Sequence, residues 1–112
     1  MTLKLLAAGG ILLAMVGCGT TPPNPVDYVT YRNEPLVKTV DKGMTPQQVL
    51  TIGGTPSTQI QRTVKAGACN NYVLNRDGHQ QPYYVSFDAS SHVDGQGFMT
   101  CQQMEANERA MK

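Results

Sequence analysis

Hydrophobic and polar residues are distributed along this chain in three different ways. After Lys4, the stretch from Leu5 to Val16 is apolar or small throughout, and it stops at Gly17-Cys18-Gly19-Thr20-Thr21-Pro22-Pro23. A membrane-spanning helix needs about 20 apolar residues, so this run is too short for a retained anchor and has the layout of a secretory leader, 1–17. From Cys18 to Pro35 large apolar residues are sparse and Pro22, Pro23, Pro25 and Pro35 recur, which predicts a flexible tether over 18–35. Tyr28, Val29 and Tyr31 interrupt its polarity, and would either dock on the following domain or sit at a membrane interface.

Beyond Pro35 the pattern becomes that of a folded domain, 36–102. Thr45-Pro46-Gln47-Gln48 is a helix start: the threonine caps, the proline occupies the first helical position where no N–H is needed, and Gln48 completes a capping box. Met44 and Val49 have hydrophobic-staple spacing, and Gly53-Gly54 end the helix. About two turns of helix are not stable alone in water, so the Val49 and Ile52 side must pack on a sheet. After Pro56 the period falls to two: Ile60, Arg62 and Val64 share one side, Cys69 to Leu74 makes a second strand, and Asn75-Arg76-Asp77-Gly78 suits a tight hairpin. The third strand runs from Gln81 to Asp88, with Tyr83, Val85 and Phe87 facing one way and Tyr84, Ser86 and Asp88 the other. A fourth runs from His92 to Cys101, loosened or bulged by Gly95 and Gly97. Residues 103–112 hold only Met104 and Met111 as large apolar side chains and read as a polar C-terminal tail, at most a frayed helix. The expected class is α+β, with one or two short helices on a three- to four-stranded antiparallel sheet.

Val16-Gly17-Cys18 places a cysteine where a secretory leader has small residues before its cut, the arrangement of a lipobox. In that chemistry a diacylglyceryl group alkylates the thiol, the leader is removed before Cys18, and the freed amine is acylated. Each buried methylene contributes about 0.8 kcal/mol, so two or three acyl chains hold a protein to a bilayer where one would be marginal. Gly19, in place of an aspartate after the lipidated residue, points to the outer membrane.

Cutting before Cys18 removes 17 of the 112 residues, and the 95 that remain suffice for one small domain. Lys4 leaves with the leader, so eight basic residues balance eight acidic ones and nothing is built to grip nucleic acid by charge. With Cys18 lipidated, Cys69 and Cys101 are an even pair in an oxidising compartment, and a disulfide is expected. Its loop closure contributes about 3 to 4 kcal/mol in the chain-entropy model. The alternative is a periplasmic thiol-disulfide protein using the same two sulfurs, against which stand 31 intervening residues and the absence of C-x-x-C spacing.

Other chemistry has little to build on. His79 and His92 stand singly in turns, Ser90, Ser91 and His92 are adjacent in sequence with no nucleophile elbow, and Asp77, Asp88 and Asp94 sit at turns where aspartate bonds nearby backbone. No catalytic residue, no metal site and no cofactor beyond the lipid on Cys18 is expected. A binding role suits a small sheet with a face not covered by helices, and Tyr72, Tyr84 and Phe98 are candidates for a surface that meets an envelope protein. The competing assignment for all three is core, since the domain is poor in large apolar residues.

Gly43-Met44-Thr45 with Val49 and then Gly54-Thr55-Pro56 resembles the signature of the SmpA/OmlA lipoproteins, the family of the outer-membrane assembly factor BamE. With an osmotically inducible member of that family the similarity continues through Gly67-Ala68-Cys69, Tyr72-Val73-Leu74, Arg76-Asp77-Gly78, Tyr83 to Asp88, His92-Val93 and Thr100-Cys101-Gln102. These stretches cover most of Val40 to Gln102 in the same order. The resemblance implies two short helices on one face of the sheet, an outer-membrane lipoprotein facing the periplasm, no enzymatic activity, and a role in envelope integrity under osmotic stress. The chain differs from the assembly factor itself in its cysteine pair and in Gly53, where that family often has leucine.

Overall fold

The tight turn at Asp77-Gly78 organises the sheet. In the computed structural model, which describes residues 25–111, both residues take positive φ, 52° and 85°, and Gly78 N–H donates to Asn75 Oδ1 at 3.1 Å. This two-residue loop matches the twist of the strands it joins. On either side, β2 (Ala68–Arg76) and β3 (His79–Phe87) pair antiparallel over their whole length, from Arg76↔His79 to Ala68↔Phe87. The short β1 (Thr58–Gln61) pairs with the first part of β2, and β4 (Val93–Gly97) with β3, with an irregularity between Ser86 and Phe87. The order is β1-β2-β3-β4, the expected antiparallel meander.

Among the described residues three helices precede the sheet: α1 (Pro25–Tyr31), α2 (Pro35–Thr39) and α3 (Pro46–Gly53). The α3 cap forms as its sequence predicts, Gln48 N–H donating to Thr45 Oγ1 at 3.2 Å and Thr45 N–H to Gln48 Oε1 at 2.8 Å. These segments bury Tyr31, Leu36, Val40 and Val49 against Tyr72 and Leu74 of β2, Tyr83, Val85 and Phe87 of β3, and Val93 of β4. At about 25 cal/mol per Å² of apolar surface removed from water, this shared core is the main stabilising term. Gly53 allows the close approach of α2 to α3, since a Cβ there would run into the Leu36 side chain.

Much of the segment expected to be a tether is folded, and its residues 18–24 lie outside the described residues. Pro25 and Pro35 each open a helix, and Tyr31 is 3% exposed, its hydroxyl donating to the His79 carbonyl at 2.8 Å and its ring 6.3 Å from that of Phe98. Of the two placements open to Tyr28, Val29 and Tyr31, docking holds for Tyr31, while Tyr28 and Val29 stay exposed. The polar tail is likewise a docked helix, α4 (Cys101–Ala110), with a capping box between Thr100 and Gln103 and with Cys101, Met104 and Glu105 buried. The last strand accordingly stops at Gly97 and does not reach Cys101.

Side chains alternate across a strand, so the register decides which face each residue serves. Tyr72 pairs with Tyr83 on the face covered by α1 to α3, whereas Cys69 pairs with Ile60 and Ser86, and Asn71 with Tyr84, on the other. That second face holds a separate cluster of Cys69, Cys101 and Met104, packed by Ile60, Tyr84 and Met99. The helices therefore occupy both sides of the sheet.

Candidate functional site

The second face is assembled by devices other than apolar area. Cys69 and Cys101 form a disulfide with Cα atoms 5.9 Å apart, and neither residue is exposed. Beside it, Asn71 Oδ1 accepts the Cys101 N–H at 2.7 Å and its amide donates to Thr58 Oγ1 at 3.0 Å, tying the first turn of α4 to β1 and β2. One turn further along α4, the Glu105 carboxylate accepts the backbone N–H groups of Thr63 at 2.8 Å and Val64 at 3.3 Å, and the Thr63 hydroxyl at 3.0 Å. Those hydrogen bonds favour the charged form, and hold Glu105 below the usual carboxylate range against the opposing effect of burial.

Arg62 closes the cluster. Its side chain is 1% exposed and donates from Nη1 to Asp94 Oδ2 at 2.8 Å and to the Phe87 carbonyl at 3.0 Å, and from Nη2 to Glu108 Oε2 at 2.7 Å. Ser86 Oγ donates to the other Asp94 oxygen at 2.7 Å. Burial opposes charge on both Arg62 and Asp94, but their mutual attraction and hydrogen bonds outweigh it, raising the guanidinium pKa and lowering that of Asp94. Arg62 Nε and Glu108 Oε1 have no partner. A buried ion cluster with such gaps adds little net stability, so its clearer effect is to fix where α4 sits.

Next to this cluster lies a groove of about 280 Å³, with Tyr84, Asp94, Met99, Met104, Glu108 and Met111 among its walls. The Tyr84 ring lies over β4, where a Cβ at Gly97 would come within 3.1 Å of it, and burial raises its pKa. The three aromatic candidates do not come together. Tyr72 is core on the opposite face, 5% exposed, with its hydroxyl donating to the Gly54 carbonyl at 3.1 Å. Phe98 is partly buried against Tyr83, with ring centroids 5.1 Å apart. Tyr84 alone of the three belongs to the groove on the second face, a face that α4 covers in part.

His79 and His92 are exposed, and Asp88 accepts the backbone N–H groups of Ser90 at 2.9 Å and His92 at 3.1 Å, as a turn aspartate does. Asp94 departs from that role, because it faces the buried arginine across the sheet. No group of three or more His, Cys, Asp or Glu side chains suited to a metal occurs among the described residues. Sequence reasoning missed Arg62, Glu105 and Glu108. The one available signal was Arg62 itself, which falls in phase with Ile60 and Val64 on an apolar side where a charge needs partners.

The model of the outer membrane protein assembly factor BamE domain matches residues 29–97, from within α1 to the end of β4. The chain belongs to the BamE family. It is similar to the osmotically inducible lipoprotein OsmE of Escherichia coli strain K12, with 33% identity over 109 residues, 96% of this chain and 94% of that protein. The same figures hold for OsmE of Escherichia coli O157:H7. A crystal structure of an OsmE lipoprotein is similar with a TM-score of 0.73 and 60% identity, covering 77% of this chain and 99% of that one. In this BamE-domain protein α4 and Cys101 follow the matched segment, so the stapled helix lies beyond what the family model describes. Among the described residues no helix is long and apolar enough to cross a membrane.

Proposed function

We propose that this protein is a non-catalytic interaction module, held to the periplasmic face of the outer membrane by diacylglyceryl and N-acyl chains on Cys18, which serves envelope integrity under osmotic stress and acts alongside outer-membrane protein assembly. A family named for outer membrane protein assembly and the likeness to osmotically inducible lipoproteins support this reading. The observation that carries it is the position of α1. Tyr31 pins this helix into the core, while Val26, Tyr28 and Val29 remain 70%, 51% and 60% exposed. The helix starts seven residues after Cys18, a distance of at most about 25 Å at full extension. Its apolar strip therefore stays near the lipid surface and whatever is embedded there, and an aromatic with a polar tip suits that boundary. Tyr84 in the methionine-lined groove offers a second contact surface.

Cys18→Ala tests the anchor. The variant should lose palmitate incorporation and move from the membrane to the soluble fraction; an unlipidated chain that still pellets with membranes would overturn the assignment. The thiol-disulfide alternative is disfavoured by access, since an attacking thiolate must reach sulfurs that are wholly buried. A bridge of this kind should have a reduction potential below about −300 mV.

A further inference from the structure

The two edges of the sheet are treated differently. Along β4, Gly43 N–H donates to the Val93 carbonyl at 2.9 Å, Val93 N–H to the Met44 carbonyl at 2.8 Å, and Met99 N–H to the Gly97 carbonyl at 3.0 Å, so that edge is largely occupied. Along β2, pairing with β1 ends at Asn71, whose carbonyl accepts the Ser57 N–H at 2.8 Å. Backbone groups of alternate residues point the same way, so Val73 and Asn75 direct their N–H and C=O groups outward, as Asn71 does. In the register of β1 the next partner, opposite Val73, would be Pro56, which has no N–H to give. No described residue bonds to the outward groups of Val73 or Asn75. Open edges are usually blunted by proline, lysine or a bulge, and Tyr72-Val73-Leu74-Asn75-Arg76 has only its terminal arginine, with Val73 53% exposed.

We propose that this edge pairs with the same edge of a second copy, joining two four-stranded sheets antiparallel about a two-fold axis at Leu74. In that register Val73 of each copy faces Asn75 of the other, and each pair exchanges both of its N–H···O=C bonds. Arg76 of one copy then falls opposite Tyr72 of the other, on the face where α1 to α3 lie. There the structure provides its counter-charge. A groove of about 340 Å³ runs along the edge, and Glu34 and Tyr72 are among its walls. Neither Glu34 nor Arg76 has an ion-pair partner within its own chain among the described residues. The two-fold axis makes the Arg76–Glu34 contact twice, so an exposed basic residue and an unpaired acidic one become complementary only when two copies meet.

Full-length protein carrying Val73→Cys, mixed with full-length protein carrying Asn75→Cys under mild oxidant, tests the register. Residues facing each other in a hydrogen-bonded antiparallel pair have Cα atoms about 5.5 Å apart, within reach of a disulfide. The mixture should give at least about tenfold more covalent dimer than either variant alone, whose cysteines would be about two residues out of register. Equal yields in all three samples, or capture of the Val73→Cys thiol by another envelope protein instead of a second copy, would overturn the proposal. For non-covalent association, followed by sedimentation of the purified full-length chain, Val73→Pro removes an N–H that bonds to no described residue of its own chain. It should weaken dimerisation by about tenfold or more while thermal unfolding keeps its cooperativity. Arg76→Glu should weaken it less, and adding Glu34→Arg should restore it. A dimer indifferent to Val73→Pro, or a double charge reversal that fails to recover, contradicts the arrangement.

Discussion

The two faces of the sheet are held by different physics. On the side of α1 to α3, ten buried residues form one apolar core, including Val49, Val85 and Phe87 at 0 to 2% exposure. On the side of α4 the buried apolar cluster shrinks to Cys69, Cys101 and Met104, and the helix is kept in place by a disulfide, a buried arginine and a carboxylate that caps a loop. A chain of this size has too few large apolar residues to cover both faces the same way. Where burial runs short, a covalent bond and directional polar contacts take over, and these respond to reductant and acid as packing does not.

Phe87→Ala should separate the faces most sharply. It opens a cavity in the larger core and should cost about 3 to 5 kcal/mol, enough to unfold much of the protein, which a shift of the urea midpoint would register. Removing the bridge with Cys69→Ser and Cys101→Ser together should cost about 3 to 4 kcal/mol. The damage should be local: trypsin should cut at Arg109 far faster than in the parent while β-sheet circular dichroism persists. Sheet signal lost in step with α4 would show that the faces are not separable. Acid should act most weakly. Asp94 and Glu105 both have pKa values lowered in the folded state, so the stability they contribute is present above their unfolded values near pH 4 and is lost as pH falls through the folded values. A proteolysis profile of α4 that is flat from pH 6 down to pH 3 would contradict that.

The apolar-core half of the molecule was largely legible. The Thr45–Gln48 capping box, the Asp77-Gly78 hairpin, and the outward and inward sides of β3 follow from local rules that the structure obeys, and on the other face the disulfide follows from cysteine parity. The polar half was not, for a physical reason. Thr100-Cys101-Gln102-Gln103 is as good a helix start as Thr45-Pro46-Gln47-Gln48, yet the helix it begins buries a cysteine, a methionine and a glutamate instead of an apolar stripe, so periodicity gives no sign of it. Asp94 and Arg62 find each other across 32 positions of sequence, and that distance leaves no local trace. Pro25 and Pro35 were ambiguous for another reason, since proline opens helices and breaks them with equal ease.

Tyr31 has a mechanical consequence. Were Cys18 lipidated as proposed, tension between a bilayer and the protein would reach the described residues first at α1. There it would be borne by a ring wedged beside Phe98 and by a hydroxyl gripping the His79 carbonyl, at the tip of the β2–β3 hairpin. Such a pull would reach the longest strand pair at its closed end, through the Tyr31–His79 hydrogen bond.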